Sequence, residues 1–329
     1  MLSPKEAKGI IAQTASNGAD TYLRLINNSP WTSNGFFKAS ADKVSDMVYD
    51  CEISSGLLSG GKYEIKMKPY DVRIFKLSNA SKEITCNFEL PENVSSEMSE
   101  KAKHILNDKK YLEGIPGDIV FDMMSALKNK DAFALRELMD DFEVKNATAN
   151  VDKERLALKN QEKLIEDLSK DKARIICAST EEYIAPKGQR WLPDQRYASC
   201  GAYGNEGASF ADRGTQLDIK NTDIDRVYQT EAYGGRVVYK IPLPAGKYNI
   251  FIHFAETYIK NKTPGIRQIA VTAENIQHPE LIDSFANAGG WAKAYVLEMK
   301  NIPVLDGELD LEFTGGVGVN GIEIEKAEK

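Results

Sequence analysis

Several side chains in this sequence are of types that suit ligand binding. Tyr197, Tyr203, Tyr233 and Tyr258 stand beside Gly, Ser, Ala, Thr or Asn in expected loops. Trp191 and Trp291 lie in Gly- or Pro-flanked stretches. A saccharide presents apolar C–H faces edged by hydroxyls, and a flat ring with a polar tip suits both. The plainer role for each aromatic is a half-buried place in a core. Asp194, Glu231, Glu256 and Arg267 are the nearby polar groups. Glu256 directly follows an alternating run, where a side chain can point into a loop cleft, or can pair with Arg267.

Other chemistry finds little support. The sequence has 3 histidines, none beside a nucleophile motif. His253 lies within the strongest strand pattern, on the side opposite Ile250, Ile252 and Phe254, and is expected on the wetter face in a structural role. There is no G-x-S-x-G, phosphate-binding loop or zinc-helix signature. Gly315-Gly316-Val317-Gly318 lies between strands, which fails a dinucleotide reading. Cys51, Cys86, Cys177 and Cys200 are widely spaced. They are expected as free buried thiols, with a Cys177–Cys200 bridge the alternative. No catalytic residue, metal site or cofactor is therefore assigned. A glycosidase carboxylate pair stays open only because acids are plentiful.

Composition sets the outer limits. The 329 residues predict two or three domains. With 42 basic and 49 acidic residues the net charge is −7, which disfavours nucleic acid as a partner. No apolar run approaches the roughly 18–20 residues of a membrane span. Met1-Leu2-Ser3-Pro4-Lys5-Glu6 does not begin a secretory leader.

Three textures follow along the chain. Residues 1–78 read as strands and turns: 21–26, 44–49, 62–67 after a Gly60-Gly61 turn, and 70–77 after a corner at Pro69. They predict a partial antiparallel β-sandwich. Residues 79–172 shift to helical spacing, with Ser95 or Ser96 as a cap and a break at Pro116-Gly117-Asp118. Leu156, Leu158, Leu164, Ile165 and Leu168 form a thin stripe on a Gly- and Pro-free run, and residues 79–172 as a whole are expected as a helical linker or small helical domain. Residues 173–329 return to short alternating runs with Pro-Ala-Gly and Asp-Gly turns, which predict a second β-sandwich. The fold class is mainly β with a helical middle region.

The stretch from Asp225 through Gln229-Thr230-Glu231-Ala232-Tyr233-Gly234-Gly235 resembles the central segment of malectin domains. The resemblance continues through Tyr239–Tyr248, His253-Phe254-Ala255-Glu256-Thr257-Tyr258, Gly265–Gln268 and Val319–Ile324, and covers roughly 173–327. It implies a jelly-roll-like β-sandwich that binds carbohydrate, with glucose-containing oligosaccharides, α-glucans among them, as candidate ligands. It carries ligand roles to Tyr233 and Tyr258, with Tyr203 as a further platform and Glu256 as polar anchor. Departures are Ala232 in place of an Arg, Ile259 in place of a Phe, and an acid-free Gly315–Gly318 loop where the family has its ligand-binding aspartate. Residues 22–77, ending Pro69-Tyr70-Asp71-Val72-Arg73-Ile74-Phe75, resemble the C-terminal β-sandwich of glycoside hydrolases. Together these imply a non-catalytic glycan-binding accessory region of a larger glycosidase-like protein, extracellular or periplasmic, whose catalytic domain lies outside this chain. The alternatives are a structural or protein-interaction sandwich, and a hydrolase in its own right.

Overall fold

The computed structural model describes residues 9–53, 61–80, 83–89 and 91–327. Met1–Glu6, Gly60 of the expected turn and the side chain of Cys51 lie outside the described residues. The chain divides into two compact units, Met1–Val151 and Asp152–Lys329.

The first unit opens with β1 (Ile10–Asn17), β2 (Asp20–Asn27), β3 (Ser33–Lys38), β4 (Lys43–Asp46), β5 (Cys51–Ile53), β6 (Lys62–Met67), β7 (Val72–Ser78) and β8 (Thr85–Glu89). They form a five-stranded sheet ordered β1-β2-β7-β4-β5 and a three-stranded sheet ordered β6-β3-β8. Alternation buries Leu23, Leu25, Phe37, Val44, Met67, Phe75 and Leu77 in one core. The corner at Pro69 carries the chain from one sheet to the other, with Tyr70 in the left-handed region at φ 56°. The expected strand 44–49 stops at Asp46. The buried Asp46 carboxylate accepts from the backbone N–H groups of Val48 and Tyr49 and turns the chain there.

Four helices follow: α1 (Glu92–Leu106), α2 (Lys109–Gly114), α3 (Gly117–Lys128) and α4 (Ala132–Asp140). Neither Ser95 nor Ser96 caps α1. The helix starts three residues before Ser95, directly after Pro91, because proline loses nothing at a position whose N–H has no helical partner. Pro116 opens α3 in the same way. A long helix, α5 (Phe142–Lys170), runs across the boundary at Val151 into the second unit.

The second unit is built on β9 (Lys172–Ile176), β10 (Tyr183–Ile184), β11 (Arg190–Pro193), β12 (Gly204–Glu206), β13 (Ser209–Asp212), α6 (Asp225–Gln229), β14 (Thr230–Pro242), β15 (Gly246–Phe254), β16 (Ile269–Ala273), β17 (Ile276–Gln277), α7 (Ser284–Ala288), β18 (Tyr295–Val304), β19 (Glu308–Val319) and β20 (Gly321–Lys326). One sheet runs β10-β11-β9-β20-β15-β18. The other runs β12-β14-β19-β16-β17, with β13 also on β14. Their inner faces share a core that includes Tyr239, Ile250, Ile252, Phe254, Val271, Leu311 and Phe313. Leu164 and Leu168 of α5 belong to that same core, so the last part of the expected 79–172 linker, from Asp152 on, falls in the second unit. Gly315–Gly318 is no loop: it lies inside β19, paired with β14 and β16.

Candidate functional site

β14 and β16 begin, and β13, β15 and β19 end, at one end of the second unit's sandwich. Along β14 alternate residues share a face, so Ala232 faces the core while Glu231 and Tyr233 face outward. Tyr233 pairs directly with Gly318 on β19 and remains 41% exposed. Tyr258, on the loop after β15, is 38% exposed.

At the same end lies a lattice of opposite charges. Glu231 is fully buried and pairs with two guanidinium groups. Arg213 Nη2 donates to its Oε2 at 2.8 Å, and Arg267 Nη1 donates to its Oε1. Arg267 Nε also stands 3.2 Å from Glu256 Oε2. Glu256 in turn accepts from the backbone N–H of Tyr258 at 2.9 Å and from Asn261 Nδ2 at 3.3 Å. Burial raises the Glu256 carboxyl above its ordinary value, against the lowering pull of Arg267 and those hydrogen bonds. The ion pair expected between Glu256 and Arg267 is present, and the carboxylate also fixes the start of the Tyr258 loop.

The glycines of β19 make room for this lattice. A Cβ on Gly316 would lie 3.3–3.5 Å from Arg267 Cα, Cγ and Cβ. One on Gly318 would overlap Arg267 Nη1 and stand 2.5 Å from Glu231 Oε1. The Arg267 side chain thus lies along a strip of strand that carries no side chains of its own.

The structure places the remaining candidates elsewhere. Tyr203 is fully buried in the sandwich core, and its hydroxyl donates to the Pro193 carbonyl at 2.7 Å, so its ring has no open face. Asp194 is buried and accepts from the N–H groups of Ala178 and Gln195, Asn205 Nδ2 and the Tyr239 hydroxyl. Trp191 is buried beside His253, edge to face at 5.1 Å. Trp291 is half-buried under the Lys262 ammonium, 4.4 Å from the ring centroid.

His253 is on the expected outer face but is not wet. It is 4% exposed, with Nδ1 2.7 Å from the Tyr228 hydroxyl and Nε2 2.9 Å from Glu323 Oε1. A second small core of Trp191, Val227 and Tyr228 covers that face. Cys86, Cys177 and Cys200 are free, so the Cys177–Cys200 bridge is absent. Among the described residues no cluster of three His, Cys, Asp or Glu could hold a metal, and no helix is long and apolar enough to cross a membrane.

In the first unit a groove of about 590 Å³ crosses the outer face of the β6-β3-β8 sheet. Its one aromatic, Phe36, is already engaged by the Lys62 and Lys38 ammonium groups, at 4.4 and 5.7 Å. It lacks a ring as exposed as those of Tyr233 and Tyr258.

Sequence reasoning missed Arg213. It sits alone after β13, and no local pattern marks it; only the register of β13 on β14 brings it to Glu231.

Residues 172–328 match the model of the malectin domain family. No curated protein matches. Among solved structures, β-glucuronidase of Bacteroides uniformis aligns over 98% of this chain and 28% of its own, at 11% identity and TM-score 0.43. The extracellular domain of ANXUR2 from Arabidopsis thaliana aligns over 97% of this chain and 89% of its own, at 11% identity and TM-score 0.40. The chain thus spans little more than a quarter of the β-glucuronidase it matches.

Proposed function

Starting from a malectin domain at residues 172–328, we propose that this chain binds carbohydrate without chemical turnover, at the end of the sandwich bearing Tyr233 and Tyr258. The observation that carries the reading is the pair of exposed rings beside an Arg–Glu lattice whose carboxylates are buried and paired. Rings supply stacking area, and a rigid polar floor holds them at little ordering cost. Glu231 and Glu256 are both buried and both tied to Arg267, which suits anchors better than a proton-transferring pair. The role we assign is to hold a larger glycoside-hydrolase-like protein on its glycan, outside the cytoplasm, by raising local concentration.

A structural role is the second reading. It is favoured by the absence of an acid at Gly315–Gly318, a strip whose outer face Arg267 fills. A glycan array followed by calorimetry on the full chain, with α-glucans included, separates the two. Carbohydrate binding predicts a ligand whose affinity falls about tenfold or more in Tyr233→Ala and Tyr258→Ala. A folded chain that binds no glycan would leave the structural role.

A further inference from the structure

At the tyrosine-bearing end of the sandwich the buried and exposed members of the charge lattice differ in kind. The carboxylates are hidden, with Glu231 0% and Glu256 1% exposed at the side chain. The guanidinium groups are not, with Arg213 25% and Arg267 14% exposed. Solvent therefore meets donors there, while the acceptors lie beneath them. Thr257, which accepts from Arg213 Nε at 3.2 Å, is also buried.

Arg213 is the more open of the two arginines. A guanidinium carries five N–H donors in a flat fork. Nε points to Thr257 and Nη2 to Glu231, while Nη1 has no hydrogen-bond partner among the described residues. The guanidinium carbon lies 5.7 Å from the Tyr258 ring centroid. A group held by Arg213 brings whatever ring it is attached to alongside Tyr258.

We infer that the ligand is a saccharide bearing an acceptor-only oxygen, a carboxylate or an acetamido carbonyl, and that Arg213 is the residue that selects it. This rests on the tyrosine-bearing end being the saccharide site. A hydroxyl can accept from a donor, but so can water. A planar oxygen that only accepts gains most from a fixed fork, and a carboxylate can take it bidentately. Glu231 keeps Arg213 oriented before the ligand arrives, and Arg267, lying on the glycine strip of β19, keeps Glu231 in place.

The test uses the full chain and three oligosaccharide sets of matched length: hexuronate, N-acetylhexosamine and neutral glucose. Affinities are measured by calorimetry at low and high salt for wild type, Arg213→Gln and Arg213→Lys, with folding checked by thermal melts. One acceptor-bearing set is expected to bind about tenfold or more tighter than the neutral set. Arg213→Gln is expected to narrow that ratio to within about twofold, since a neutral amide lacks the charged fork. Arg213→Lys is expected to keep part of the preference, as a point charge without the fork. Preference for hexuronate that weakens with salt identifies the carboxylate, and a salt-independent preference for N-acetylhexosamine identifies the carbonyl. Equal affinity for all three sets, or equal losses on all three in Arg213→Gln, would overturn the assignment of Arg213 and leave the saccharide site standing. Binding to none of them, with the wider array also blank, overturns both.

Discussion

Gly318 is the position where one added methyl reports on the whole lattice. Its Cβ would overlap Arg267 Nη1, and the arginine cannot retreat without leaving buried Glu231 with a single guanidinium partner, Arg213, beside the Thr257 hydroxyl. Gly318→Ala is expected to cost about 1–3 kcal/mol in urea denaturation. Gly235→Ala, with open space around its Cβ, should stay within about 0.5 kcal/mol. Equal effects would mean that Arg267 yields freely. Glu323 makes a second test. Burial pushes its carboxyl up, but His253, Arg174 and Lys172 outweigh that and hold it below its ordinary 4.5. A carboxylate lowered by folding adds stability above its unfolded value and loses it as pH falls through the folded one. Stability of the second unit should therefore fall as pH drops below about 4.5, and Glu323→Gln should make that acid limb shallower. An unchanged limb would assign the acid sensitivity to other carboxylates. His253, the partner of Glu323, shows what the sequence conveys at this scale. Alternation along β15 gave its face correctly. Its cover comes from Tyr228 and Trp191, on other elements, and short-range pattern carries no trace of them. Tyr203 and Tyr258 each stand beside a small residue and outside the strands, yet one is core and the other open, because what packs over each loop is not written in its neighbours.

At the scale of elements the strands were the more legible part, since period-two alternation is a local signal: the expected runs 21–26 and 62–67 fall within β2 and β6, and 44–49 and 70–77 overlap β4 and β7. Glycine-rich β19 was not, since glycines read as a loop until a partner strand supplies the ladder. The thin leucine stripe on α5 has its explanation in the second unit. Leu164 and Leu168 enter the sandwich core, whereas Leu156 is 59% exposed. Gln161 adds polar ties, accepting from the Tyr203 N–H at 2.9 Å and donating to the Pro242 carbonyl at 2.7 Å. The family match starts at residue 172, beyond all of these. A fragment of residues 172–329 should therefore be less stable than one of residues 152–329 by about 3–5 kcal/mol, the worth of two buried leucines. Matching denaturation midpoints would show that the helix merely rests on the sandwich.

On the scale of the whole molecule, the two units have separate apolar cores, and each should respond to its own defects. Differential scanning calorimetry is expected to resolve two transitions. Leu23→Ala should lower one, and Phe313→Ala the other, each losing about 2–5 kcal/mol to a cavity. A single transition moved by both variants would show that the units melt as one.

The glycine strip under Arg267 also bears on which changes evolution can make here. Every glycine codon lies one base from an aspartate or a glutamate codon, so an acid at Gly318 is always within a single mutational step. An acid at Gly318 would arrive on top of Arg267 Nη1, draw it away from Glu231 and leave that buried carboxylate less neutralised before any ligand benefited. The step is short in the genetic code and uphill in the protein. Arg267, laid along this strand, is therefore a barrier to any acid at Gly318.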